Sequence, residues 1–228
     1  MHGSVVPGEQ AAGHLVAAVK PRLRGVLHEG AFGVSLVTGT ALIVLAQGAR
    51  GVTVASVYAA AVSLLFATSA AYHRGSWTPP ARARMQRLDH SMIFVLIAGT
   101  YTPLSVLLLH GPARWVVFGT VWVGAAVGVI ARITLTRRPR WLFPALYAVL
   151  GCVALAVLPA LLRSGGPLVL VMIVLGGVCY LTGAVIYVRR RPDPWPHWFG
   201  FHELFHALTI AAFAAHYVAV SATVYRAN

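Results

Sequence analysis

Acidic side chains are almost missing from this chain: Glu9, Glu29, Asp89, Asp193 and Glu203 are the five among 228 residues, and charged residues of all kinds make up 10%. So little charge, with 58% apolar residues and a mean hydropathy of +0.76, excludes an ordinary soluble domain and points to a chain that crosses a membrane several times. Cysteine is nearly absent too. Cys152 and Cys179 each stand alone in an apolar run with no C-x-x-C, so no disulfide framework can be argued, and both read as small packing or lipid-facing residues. Residues 1–24 lack the apolar core of a signal peptide, and insertion through the first membrane span is expected.

Eighteen Lys and Arg give a formal charge of +13, but they form no amphipathic stripe, which argues against nucleic acid as a partner. They sit between apolar runs, where cytoplasmic loops carry them. Seven runs of roughly twenty residues stand out, over 28–47, 52–73, 90–109, 113–132, 141–162, 167–188 and 201–222. Pro103, Pro144 and Pro159 lie in or near them as candidate kinks. The clusters at Lys20 to Arg24, Arg74 to Arg87, Arg132 to Arg140 and Arg189 to Arg191 all fall on one side, with Arg50, Arg114, Arg163 and Arg226 on the other. The expectation is an all-α integral membrane bundle of seven transmembrane helices. Its N-terminus is cytoplasmic, its C-terminus outside, its tail 1–24 short and basic, and residues 25–228 form one domain in the cell membrane.

With that topology the polar residues gather in one layer. His73 closes the second run, Asp89 and His90 open the third, and His202, Glu203 and His206 open the seventh, in the string H-E-L-F-H. Two histidines four apart share a helix face and can hold one metal ion. His73 supplies a third imidazole from another helix, leaving a fourth position open as catalytic zinc requires. Asp89, expected to enter from the far side of a short loop, can hold or deprotonate a water. Ser69, one turn from His73, can orient a ligand or the water. Three imidazoles favour Zn2+ over magnesium or calcium. His90 points about 100° from Asp89 and is expected at the interface. Glu29 supports the site or pairs with a loop arginine. His216 returns to the His202 face about 21 Å along the axis and is no ligand. A zincin, with Glu203 as base, would need a third ligand downstream, where the sequence has Ala212.

Three segments, S-A-A-Y-H-R (Ser69 to Arg74), L-D-H-S-M-I-F-V-L-I-A-G-T-Y-T-P (Leu88 to Pro103) and F-H-E-L-F-H (Phe201 to His206), together resemble the haemolysin III proteins, relatives of the progestin and adiponectin receptors and more remotely of alkaline ceramidases. The likeness runs from Pro21 to Val220. It implies a seven-helix bundle with zinc near the cytoplasmic leaflet, and it maps the family's site onto Ser69, His73, Asp89, His202 and His206. It also implies metal-dependent hydrolysis of lipid amides, chemistry inferred for the bacterial members. The first expectation is therefore hydrolysis of an amide or ester bond in a membrane lipid. The second is a receptor or structural protein in which zinc only ties helices together. The third is a cytolysin, although no run carries the polar stripe of a pore lining. An ion transporter would need an acid near mid-membrane, which the chain lacks.

Overall fold

A computed structural model describes residues 21–135, 137 and 139–226. Lys20, Arg138 and nearly all of the basic tail lie outside the described residues. Among the described residues every regular element is helical: α1 (Val26–Leu45), α2 (Gly48–Arg74), α3 (Pro79–Pro103), α4 (Gly111–Thr134), α5 (Leu142–Gly151), α6 (Leu158–Arg189) and α7 (Phe201–Arg226). Helices satisfy every backbone group internally, which hydrocarbon demands. Val37 and Val44 of α1 and Val116, Val123 and Val127 of α4 turn outward, as side chains facing lipid do. The chain is a multi-pass integral membrane protein of all-α class, with six helical runs among the described residues long and apolar enough to cross a bilayer.

Two boundaries differ from the sequence expectation. α3 begins at Pro79, so Asp89 sits on a helix and not at the far side of a loop. Proline is tolerated in the first helical turn because its missing N–H would have had no partner there. Helix can therefore start at Pro79-Pro80 and run through the arginines before the apolar stretch begins. The fifth and sixth runs join into Leu142–Arg189, 48 residues that would extend about 72 Å if straight. They are not straight. Cys152–Val157 tightens to a 3-10 turn, and at Gly166 the backbone takes φ 78° and ψ 176°, outside helical geometry. Tyr147 on the first leg and Tyr187 on the second both reach His90, whereas Gly165 takes a hydrogen bond from Arg226 at the far end of α7. The run thus doubles back at Gly166.

Prolines mark the other departures. Past Pro103, α3 continues as a π turn over Leu104–Leu108, while Pro144 and Pro159 fall in the first turns of α5 and α6 and break neither. The Tyr101 hydroxyl serves the α5 transition by donating to the Gly151 carbonyl and accepting the Ala154 N–H, each at 2.5 Å. Close packing at the helix crossings rests on small residues. A Cβ on Gly99 would overlap that of Ala61, and one on Gly39 that of Ala59, so α1, α2 and α3 approach as far as only glycine permits.

Candidate metal centre

The buried face of α2 is a stripe at helical spacing: Val54, Tyr58, Ala61, Leu65, Ser69 and His73. The stripe that packs the bundle therefore also aims Ser69 and His73 into it. On α7 the same periodicity buries His206, Thr209, Phe213 and Val220, and His202 stands one turn before His206. The nitrogens of His73, His202 and His206 lie within 4.8 Å of one another, and Nε2 of His73 is 3.1 Å from Nε2 of His202. Asp89 brings Oδ2 to 3.9 Å from Nε2 of His73, and Ser69 is in hydrogen-bonding reach of its carboxyl group. Five residues from three helices meet at one point.

Other candidates have different employment. Glu203, fully buried, pairs with Arg24 and accepts the Gly200 N–H at 3.0 Å, which caps the start of α7. It holds the N-terminal segment, whose Arg22 and Leu23 N–H groups bond the His197 and Trp198 carbonyls. Glu29 is exposed and pairs with Arg74 at 3.0 Å, the loop-arginine alternative. His90 does not face the interface. It lines the cavity, and its Nδ1 lies 2.9 Å from Nη2 of Arg132. His216 lies deep in the bundle with Nε2 3.2 Å from the Ile173 carbonyl.

Sequence reasoning missed His28. Its ring stacks on His206 with 3.8 Å between centroids and 8° between planes, and Phe66 meets it edge-on at 5.1 Å. A signal existed: His28, Ala31, Ser35, Gly39 and Leu42 form the buried stripe of α1, so spacing alone places His28 inward. The adjacent Glu29 drew the attention instead.

The imidazoles open on a cavity of about 1430 Å³ that runs from Arg24 and Trp77 at one end past Tyr101 and Leu158 to Ile173 and His216. A zinc–imidazole bond of about 2.0–2.1 Å in tetrahedral geometry sets nitrogens about 3.3 Å apart. The 3.1 Å separation of His73 and His202, both buried and facing each other, matches that spacing. The donor set of His73, His202 and His206 is thus one that could hold a metal ion, and three imidazoles suit zinc.

A profile of the family described as haemolysin-III related matches residues 16–217, a span holding all three histidines, Asp89 and Ser69. The chain belongs to the haemolysin-III-related family. Its relatives include Hemolysin-3 of Bacillus cereus, 29% identical over 63% of this chain and 65% of that protein. The Hemolysin-3 homolog of Bacillus subtilis (strain 168) is 29% identical over 60% of this chain and 61% of its own length. The heptahelical transmembrane protein ADIPOR2 of rice, Oryza sativa subsp. japonica, is 32% identical over 59% of this chain and 65% of that one. This haemolysin-III-related chain thus matches just under two thirds of the length of each of these relatives.

Proposed function

We propose that this protein is a zinc-dependent hydrolase that cleaves an amide or ester bond in a membrane lipid, within a seven-crossing bundle of the plasma membrane. One observation carries the reading: three convergent imidazoles and a buried carboxylate stand at the wall of a cavity of about 1430 Å³. The count of seven is supported by the reversal at Gly166 and by the heptahelical description of the rice relative. The arginine bias between loops supports a cytoplasmic N-terminus and an external C-terminus, with the site at the inner leaflet.

Zinc at this site would supply Lewis acidity toward a carbonyl. The chain's own residues do the rest. The apolar cavity binds the acyl chain and excludes water, so that the scissile carbonyl is held beside His73 and Asp89. Asp89 takes a proton from the attacking water and returns it to the leaving nitrogen or oxygen. The Ser69 hydroxyl fixes the carboxylate of Asp89 in place, and His28 holds the ring plane of His206.

The test is purified protein with zinc, incubated with N-acyl amide lipids and glycerolipid esters, with released fatty acid read by mass spectrometry. Product from wild type and none from His206→Ala supports the reading. No product from any lipid with zinc bound overturns it.

One observation favours a second reading. α2 and α7 touch at few points, the edge-on ring pair of Phe66 and Phe213 among them, and α1 packs against both, so a metal on the three histidines would tie α2 to α7 directly. A receptor or structural protein would use such a clamp without turnover. It predicts that His73→Ala lowers the melting temperature while no lipid product is ever found. Cytolysis, the activity in the relatives' names, is tested by dye leakage from liposomes holding the protein.

A further inference from the structure

Arg132 is among the most deeply buried side chains of the molecule, only 2% exposed, although it carries a charge inside a membrane bundle. A guanidinium stays ionised and cannot escape this cost by losing its proton. Buried cations are therefore normally matched by an acid. Arg132 has no such match among the described residues. The described ion pairs join Arg24 to Glu203, Arg74 to Glu29 and His73 to Asp89. Its Nη2 donates to Nδ1 of His90 at 2.9 Å, an acceptor without charge, and its Cζ lies 5.2 Å over the Phe143 ring. Nε and Nη1 are buried with no hydrogen-bond partner. His90 is itself anchored, its carbonyl taking the Tyr147 hydroxyl at 2.9 Å. The cation is thus held by built contacts and left uncompensated.

Arg132 of α4 and His90 of α3 both line the large cavity, and His90 directly follows Asp89. Arg82, Arg140 and Arg190 line it as well, and Asp89 and Asp193 are the acids on its wall. Asp193 already accepts the Phe201 N–H at 2.8 Å. The cavity is therefore apolar along its length and cationic at the end that holds Arg132.

We propose that the missing counter-charge comes from the occupant: an amphiphile whose oxyanion, a carboxylate or a phosphate, sits against the wall formed by Arg132 and His90 with its hydrocarbon chain running toward His216. The site discriminates charged from neutral headgroups, a role separate from the histidine cluster. It rests on the reading of the cavity as a lipid site but requires neither metal nor hydrolysis.

The experiment measures equilibrium binding of palmitate, hexadecyl phosphate and hexadecanol to detergent-solubilised protein stripped of metal by chelator. Wild type should prefer one or both anions over the matching alcohol by about tenfold or more. The preference should stay the same when the chelator concentration is raised further, which shows that a residual metal does not produce it. Arg132→Met should lose it, and Arg132→Lys, which restores the charge, should keep much of it. Tighter binding of palmitate points to a fatty carboxylate as the source and tighter binding of the phosphate to a lipid phosphate, and either supports the site. Equal binding of all three ligands to wild type overturns the proposal, and so does a preference that survives in Arg132→Met or disappears as more chelator is added. If Arg132→Met does not fold, wild type at two chelator concentrations and Arg132→Lys still decide it. Failure to hydrolyse lipid leaves this binding preference standing, so the two readings fail separately.

Discussion

The ring of His28 lies flat on the ring of His206, 3.8 Å apart and 8° from parallel. An imidazole that must hold a metal needs its ring plane fixed, and here the fixing comes by stacking from the first helix of the chain.

His28→Ala should therefore weaken zinc binding by about tenfold, the lower end of what supporting contacts are worth. His28→Phe, which keeps a flat ring against His206, should stay near wild type. Competition titration against a zinc chelator reads both. Equal affinity in wild type and His28→Ala would show that the stack does not position the ligand.

Elemental analysis should find about one zinc per wild-type chain, the stoichiometry of a single three-imidazole centre, and almost none in His206→Ala. Chelation should also lower the melting temperature, since a ligand at 100 times its Kd stabilises by about 2.7 kcal/mol. A melting curve indifferent to zinc would remove the metal centre.

Asp89→Asn is nearly isosteric and keeps the three histidines. Lipid turnover should fall by a factor of about 100 or more with zinc content unchanged, the loss expected for a general base. Ser69→Ala should cost less, because it only steadies Asp89. Undiminished product from Asp89→Asn would exclude the assigned role.

Arg24→Met leaves Glu203 buried without its cation. The expected loss is about 3–5 kcal/mol, the penalty for breaking a buried pair from one side. The double variant Arg24→Met, Glu203→Gln should recover much of it, seen as melting temperature in detergent. An Arg24→Met protein as stable as wild type would show the pair to be dispensable.

Gly99→Leu forces a side chain into the crossing of α3 with Ala61 on α2. Overpacking of this kind costs about 1–3 kcal/mol. Gly119→Leu, where a Cβ meets nothing within 4 Å, should be nearly neutral in the same thermal scan.

The apolar runs made the helices legible, and the spacing of His202 and His206 with the placement of His73 made most of the site legible as well. Helix ends were less so. Hydropathy sees where hydrocarbon starts, not where backbone hydrogen bonding starts, so the Arg-bearing turns from Pro79 to Asp89 read as loop. The reversal at Gly166 was legible, since Arg163-Ser164-Gly165-Gly166-Pro167 already parts the fifth run from the sixth, whereas the tightening over Cys152–Val157 lies within apolar residues and leaves no mark in hydropathy. His28 and Arg132 share one cause of obscurity. Each stands at the end of its run, where a polar residue reads as ordinary, and what matters is the partner it meets in space: His206 for one, His90 across 42 positions for the other.

The clasp between Arg24 and Glu203 joins positions 179 apart, and the contact of His73 with His202 spans 129. During synthesis α1 and α2 emerge long before either partner on α7 exists. His28, Ser69 and His73 must wait in the bilayer as an incomplete half-site, with no intermediate stage at which two ligands can share an ion. On the proposed zinc reading, metal capture is then the final event of biogenesis. A ribosome that stops short of α7 releases a chain that is inserted and helical, yet chemically silent.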